Sequence, residues 1–204
     1  MWPWDSIVTA IDPSLLAESP QEAHHSTIAA SDNLVSIRVS TRFIVRFAVL
    51  IGRMHPELAQ YINRASLKTN EVQLARLRLL DEVAGFVSVK RSASEVAALN
   101  FICTHNSRRS QMGQLWAAAA AAHFGVDGVL AFSGGTEATA FNPRAVAAMQ
   151  RAGFAVQNPG GDNPHYLVTF AEGGPAIECF SKTYDDPFNP REGFAAIMTC
   201  SEAD

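Results

Sequence analysis

The sequence predicts an α/β protein in which helices cover a parallel sheet. From Leu99 onward, short apolar runs alternate with longer helical segments, and glycine or proline marks the breaks between them. Cys103 directly follows one such run and precedes the alanine-rich stretch 111–123, which has strong helix propensity. This alternation predicts parallel strands joined by helical crossovers, with ligands bound at the carboxyl ends of the strands.

Composition narrows the classes of partner and compartment. The chain has 204 residues, of which 48% are hydrophobic, so it can form one domain with an appendage. A net charge of −4 gives no general electrostatic case for binding nucleic acid or an anionic membrane, and we expect neither partner. Three cysteines, an odd number, favour a reducing compartment over a secreted disulfide scaffold. We therefore expect a cytoplasmic protein.

Residues 1–53 are interpreted as a poorly defined N-terminal extension. Residues 1–33 are polar and interrupted by prolines, which is typical of loosely ordered chain. In residues 34–51 the apolar positions alternate as in a strand, yet the arginines fall four apart as on a helix face. Both alternatives stay open, and we expect no paired strand from this extension in the core.

Residues 54–97 are predicted to form a helical arm and a linker. Pro56 suits the first turn of one helix, and the segment 69–71 can cap a second. Apolar residues recur at helical spacing between Val72 and Val87, and residues 91–97 are the linker. We expect the arm to pack on the following domain or to make a dimer contact.

Residues 98–204 are predicted to be the functional domain, with strands and helices in alternation. The predicted elements are strand 99–103, helix 110–124, strand 129–132, turn 133–136, helix 143–152, a strand starting at 154–156, strands 166–170 and 176–180, and the apolar run 194–199.

The segment from Cys103 to Ser110 has the features of an anion-binding loop with a built-in nucleophile. Free amides and the positive end of the dipole at a helix start favour a bound oxyanion. The same field lowers the pKa of a thiol, and the thiolate is the reactive form. Arg109 adds a planar fork that can hold two oxygens of a phosphate-like group.

Phe-Ile-Cys-Thr-His-Asn-Ser-Arg-Arg-Ser-Gln-Met, residues 101–112, resembles the phosphate-binding loop of low-molecular-weight protein tyrosine phosphatases. It is still more similar to that of the related thiol-dependent arsenate reductases. The resemblance continues through residues 132–137 and 142–146 and ends in residues 198–204, so it covers about residues 98–204. It implies the fold of these phosphatases, a flavodoxin-like parallel sheet with flanking helices, and neither a metal nor an organic cofactor.

The resemblance also implies a role for each loop residue. Cys103 would attack phosphorus or arsenic to form a covalent intermediate, and Arg109 would stabilise the developing charge. Ser110 would hydrogen-bond the Cys103 sulfur, and Asn106 would brace the loop. The implied oxyanion-binding residues are Thr104, His105, Asn106, Ser107, Arg108, Arg109 and Ser110.

Two loop positions depart from the family pattern. His105 stands where a glycine is common, and its side chain would narrow the mouth or be strained if the position needs a positive φ. Arg108 replaces the second loop cysteine of the phosphatases, so Cys103 lacks a partner for a disulfide within the loop. The added positive charge favours a low thiol pKa and anionic ligands.

The general acid is the one catalytic group that the loop motif does not contain. Asp186 precedes Pro187, as the family acid precedes a proline, and is the local candidate. The resemblance, however, places the acid downstream of residues 199–204, which favours a turn or helix start at Asp186 and leaves its acid role as the alternative. We therefore expect the acid, the last strand and the closing helix beyond Asp204, and a catalytic domain that is C-terminally truncated here.

Three functions follow from these features. The first is hydrolysis of phosphotyrosine or a related phosphomonoester. The second is arsenate reduction by a thiol relay in which Cys200 matches the second cysteine and thioredoxin or another thiol is the reductant. The resemblance implies a third cysteine, which resolves the resulting disulfide and would fall past Asp204. Cys179 could substitute for it, although Cys179 is more simply interpreted as a buried strand residue. The third is binding of a small oxyanion without catalysis.

Overall fold

The computed structural model describes residues 52–201. The predictions for residues 1–51, including the choice between strand and helix in 34–51, lie outside the described residues. A short 3-10 helix, Thr69–Glu71, lies between the first two helices. The other elements are α1 Pro56–Ser66, α2 Leu74–Ser92, β1 Ala97–Cys103, α3 Arg109–His123, β2 Val129–Gly135, α4 Pro143–Ala152, β3 Ala155–Gln157, β4 Tyr166–Thr169, β5 Ile177–Cys179 and β6 Phe194–Met198.

A parallel sheet of order β2-β1-β6 forms the centre of the α/β fold, and helices flank it. Every residue of β1 is buried, as expected of the central strand of a parallel sheet. The register pairs Cys103 of β1 with Gly135 of β2, and Ile102 with Met198 of β6. The carboxyl ends of all three strands therefore meet at one edge, where Cys103 begins its loop.

The prediction of a single parallel sheet is wrong for β3, β4 and β5, which form a separate antiparallel sheet. Residues 158–165 join β3 to β4, and residues 170–176 join β4 to β5, without any helix. A parallel connection needs a crossover of about a dozen residues or more, whereas antiparallel neighbours can be joined by short turns. The shortness of these connections explains the pairing.

The helical arm packs on the domain through both of its helices. Leu58 and Ile62 of α1 are buried in one core cluster with Leu115 of α3 and Met149 of α4. Phe86 of α2 is buried in a second cluster, which contains Leu99 and Phe101 of β1. Burial of these apolar side chains stabilises the arm on the domain.

The chain just before α1 pairs with the connection between β4 and β5. The carbonyl oxygen of Arg53 accepts a hydrogen bond from Glu172 N at 3.0 Å, and Met54 forms an antiparallel bridge with Ala171. Arg53 is the last residue of the predicted extension, so the carboxyl end of that extension is hydrogen-bonded to the connection between β4 and β5. Among residues 52–201, none of the helices combines the length and apolarity that crossing a membrane requires.

The prediction of a helix over residues 143–152 is confirmed by α4. The Asn142 side chain caps it by accepting a hydrogen bond from Arg144 N at 3.0 Å, and Pro143 occupies its first turn. Gly153, at φ 105°, ends it in the left-handed conformation that glycine favours.

The predicted turn at 133–136 is wrong for its first three residues, because β2 continues to Gly135. A Cβ on Gly134 would lie 2.3 Å from the Tyr184 Cα, so only glycine allows the two segments to approach this closely. The extra strand residues bring Gly135 opposite Cys103.

Candidate active site

Cys103 ends β1 and Arg109 begins α3, so residues 104–108 form the connecting loop. The Cys103 side chain is buried, and its Sγ lies 3.0 Å from Ser110 Oγ. Asn106 Nδ2 donates to the same oxygen at 2.8 Å. Because that hydroxyl oxygen already accepts from Asn106, its one proton is available for the sulfur. The predicted Ser110–Cys103 hydrogen bond is present, and it favours the thiolate.

Asn106 holds the loop from within. It is completely buried and adopts φ 44°, a left-handed conformation that asparagine tolerates better than most residues. Its Oδ1 accepts hydrogen bonds from Lys182 N at 3.0 Å and from Gln111 Nε2 at 3.1 Å. With every side-chain polar atom bonded, Asn106 fixes the turn and orients Ser110.

The carbonyl oxygens of the loop are held outward. In a planar trans peptide the C=O and the following N–H point in opposite directions. A carbonyl oxygen held by a neighbour outside the loop therefore directs the next amide into it. The donors are Thr136 N to Cys103 O (3.1 Å), Glu137 N to Thr104 O (2.8 Å), Gln111 Nε2 to Asn106 O (3.2 Å) and Asn142 N to Ser107 O (2.8 Å).

Burial and hydrogen bonding shift the pKa of the Cys103 thiol in opposite directions. Burial raises its pKa, but hydrogen bonds from the Ser110 hydroxyl and from the amides of Ser110, Ser107 and Asn106 together lower it below the ordinary value. The N-terminus of α3 acts in the same direction. Cys179 is a contrast, since burial raises the pKa of its thiol to about 12. The site thus favours a thiolate at 103 and a neutral thiol at 179.

Two arginines and a histidine belong to the loop and the start of α3. Arg109 is half-buried at the start of α3, while Arg108 is exposed. His105 Nε2 lies 3.5 Å from Glu137 Oε2, and both side chains are exposed. Of the loop residues only Asn106 has a positive φ, so histidine at 105 is not strained as it would be at a position that requires glycine.

Cys200 lies beside the loop. It follows β6 and is buried in a cluster with Ile102 and Cys103. Its Sγ lies 3.4 Å from Thr104 Oγ1. Because β1 and β6 are parallel neighbours, the two cysteines at their carboxyl ends come together.

Asp186 occupies a turn of its own. Its Oδ1 accepts a hydrogen bond from Phe188 N at 2.9 Å. Thr183, three residues earlier, forms a parallel bridge with Gly135 on the side of β2 opposite β1. Among residues 52–201, no hydrogen bond or ion pair joins Asp186 to Cys103 or Arg109. The structure thus groups the other predicted residues in or beside one loop, whereas the hydrogen bonds of Asp186 lie within its own turn.

Several residues that hold the loop were not predicted from the sequence to do so. Gln111 Nε2 also donates to Phe180 O at 2.8 Å, and Lys182 N reaches Asn106 from the segment after β5. Gln111 contributes a buried side chain and Lys182 a backbone amide. The only signal common to these residues is burial of a polar residue, which is visible only in the folded structure. Within the described part of the chain, no group of three or more His, Cys, Asp or Glu side chains could hold a metal ion.

No family model, curated protein or solved structure matches this chain. Fold and site alone therefore define the class. It is an α/β protein with a thiolate-stabilising loop at the carboxyl edge of a parallel sheet.

Proposed function

We propose that this protein is a cysteine-dependent phosphomonoesterase of the low-molecular-weight tyrosine phosphatase type, with Cys103 as the nucleophile. One observation carries the proposal: the Ser110 hydroxyl lies 3.0 Å from the Cys103 sulfur, and with the amides of Asn106, Ser107 and Ser110 it lowers the pKa of that thiol. The order β2-β1-β6 is compatible with the flavodoxin-like fold of those enzymes. A reducing compartment such as the cytoplasm would keep the thiol free.

The reaction would proceed in two displacements. The thiolate of Cys103 attacks phosphorus, an S–P bond forms, and the P–O bond to the leaving alcohol breaks with its electron pair on oxygen. The inward amides and the fork of Arg109 bind the phosphoryl oxygens as charge develops. Water then attacks the cysteinyl phosphate, releasing inorganic phosphate and the thiolate.

Aryl phosphates are the appropriate first substrates. A phenolate leaves as a weak base, so it depends less on a general acid than an alkoxide does. That matters because Asp186 is bonded within its own turn. Phosphotyrosine, which also has a phenolic leaving group, fits the same requirement.

Hydrolysis of 4-nitrophenyl phosphate by the full chain tests the proposal. We expect turnover that vanishes in Cys103→Ser and persists in Cys179→Ala, because Cys179 is buried in β5. Equal turnover in Cys103→Ser and the unsubstituted protein would exclude Cys103 as the nucleophile. Phosphate binding at the loop without any turnover would instead support a non-catalytic oxyanion-binding domain.

Arsenate reduction is the second candidate, and the position of Cys200 favours it. Cys103 would displace hydroxide from arsenate, and Cys200 would then attack the Cys103 sulfur. The S–As electron pair passes to arsenic, giving arsenite and a Cys103–Cys200 disulfide, which a dithiol of the thioredoxin class reduces. Arsenate-dependent thiol consumption that is lost in Cys200→Ser is the expected result, and consumption that survives this substitution would exclude the relay.

A further inference from the structure

The carbonyl oxygen of His105 is held by residues from outside the loop and its helix. Ser181 Oγ donates to it at 2.8 Å and Thr139 Oγ1 donates at 3.1 Å. Ser181 follows β5 and lies 76 residues from His105 along the chain. This contact joins the antiparallel part of the molecule to the Cys103 loop.

The bonding around Ser181 fixes the direction of its hydroxyl proton. Thr139 N donates to Ser181 Oγ at 2.8 Å, so the oxygen acts as an acceptor there. A hydroxyl has a single proton, which is therefore available to His105 O. Ser181 is buried, so no water can readily replace it.

Asn163 in turn holds the backbone of Ser181. Asn163 Oδ1 accepts from Ser181 N at 3.0 Å, and Asn163 Nδ2 donates to Ser181 O at 2.8 Å. This two-point contact joins the turn before β4 to the residue after β5 and leaves Ser181 little freedom. Asn163 thus fixes the backbone from which the Ser181 hydroxyl reaches the loop.

The 105–106 peptide transmits this contact to the sulfur. Because the peptide is planar and trans, holding His105 O outward turns the Asn106 N–H inward. Hydrogen bonding from that amide is one of the causes that lower the pKa of the Cys103 thiol. We propose that Ser181, fixed by Asn163, is a positioning residue that keeps the Asn106 amide directed at Cys103. The proposal rests on Cys103 acting as a reactive thiolate.

The test is the pH dependence of Cys103 alkylation by iodoacetamide in the full chain, with the modified peptide identified by mass spectrometry. Ser181→Ala should slow alkylation by about two- to threefold at about pH 6. This is the change expected for a rise of somewhat under one unit in the thiol pKa, because the more basic thiolate is also the better nucleophile. Ser181→Thr keeps the hydroxyl and should restore the original profile. Ser133→Ala is the matched control, because Ser133 is also buried but donates to Gln114.

A purely structural role would lower the thermal midpoint of Ser181→Ala without moving the alkylation profile, and that result would overturn the proposal. If Ser181→Ala does not fold, Asn163→Ala serves instead. It removes both hydrogen bonds to the Ser181 backbone without adding a charge, and it should shift the profile in the same direction by less. An unmoved profile in that variant would equally overturn the proposal.

The readout separates two kinds of failure. Alkylation does not require turnover, so it is informative even if no phosphate ester is hydrolysed. If Cys103 titrates like an ordinary thiol in the unsubstituted protein, the proposed function and this inference both fail. If Cys103 titrates low and Ser181→Ala leaves it there, only this inference fails. The titratable and charged groups around Cys103 are unchanged in all variants: His105, Arg108, Arg109, Glu137, Lys182 and Cys200.

Discussion

Gly135 lies opposite Cys103 in the parallel register of β2 and β1, and its α-carbon faces the backbone of the Cys103 loop. A Cβ at this position would lie 2.6 Å from Asn106 N and 2.7 Å from Thr104 O. Backbone atoms cannot move aside as flexible side chains can. The absence of a side chain at 135 is therefore what allows the loop to close against β2.

Gly135→Ala should disrupt both stability and thiolate formation. We expect a loss of about 2–3 kcal/mol in the free energy of unfolding from overpacking, together with slower Cys103 alkylation near neutral pH. Gly85→Ala is the control, because nothing lies within 4 Å of its added Cβ. That helical change should stabilise the protein by about 0.5–1 kcal/mol. Equal effects of the two substitutions would contradict the close approach at 135.

Ser110→Ala should raise the pKa of the Cys103 thiol. Its hydroxyl is the strongest of the hydrogen-bond donors that lower that pKa, so the midpoint of the alkylation–pH profile should move up by about one unit. Ser92→Ala, an exposed change at the end of α2, should leave the midpoint unchanged. A midpoint that stays in place in Ser110→Ala would mean that the amides alone hold the thiolate.

The same substitution has a consequence for stability. The folded pKa of Cys103 lies below its unfolded value, so ionisation stabilises the fold fully above the unfolded pKa. That contribution is lost as the pH falls through the folded pKa. Denaturation profiles at several pH values should show the unsubstituted protein losing this increment on acidification, while Ser110→Ala shows a smaller change.

Arg109→Lys should lower kcat/KM for 4-nitrophenyl phosphate by about 10²–10³-fold, because lysine keeps the charge but lacks the two-pronged geometry. The alkylation profile of Cys103 should change little, since no hydrogen bond from the Arg109 side chain to the sulfur contributes to its pKa. Arg151→Lys, in the last turn of α4, is the control and should behave like the unsubstituted enzyme. Similar kinetics for the two variants would remove Arg109 from the proposed mechanism.

Cys179 should make the fold sensitive to alkaline pH. Its folded pKa is raised to about 12, so its contribution to stability is complete below the unfolded thiol pKa and is lost as the pH rises toward 12. Above the unfolded pKa, the free energy of unfolding should fall by about 1.4 kcal/mol per pH unit from this group alone. Cys179→Ala should show a correspondingly shallower slope in urea denaturation at alkaline pH. Parallel slopes would show that Cys179 ionises in the folded state.

Local features of the fold were predictable because their causes are local. Asn142, Pro143 and Gly153 set the limits of α4 through a cap, a first-turn proline and a left-handed residue. The Ser110–Cys103 contact is also local, since both residues flank one strand-to-helix turn. The alternation of apolar runs with helical segments could not predict that β3, β4 and β5 form a separate antiparallel sheet. Parallel and antiparallel strands have similar apolar runs. Short connections decided that pairing.

The sequence by itself determined that a thiol, an arginine and the start of a helix lie close together. Cys103 and Arg109 are separated by only five residues, and the helix begins at Arg109, so these groups cannot be far apart. Only the tertiary structure decided which residues surround them. Cys200 reaches Thr104, and Ser181 reaches His105, because chain segments remote in sequence pack at one sheet edge. Asp186 has the local pattern of an acid, yet packing leaves it in a turn beyond β2. Hydrogen bonds between distant segments form only after the core has assembled, so no short motif encodes them.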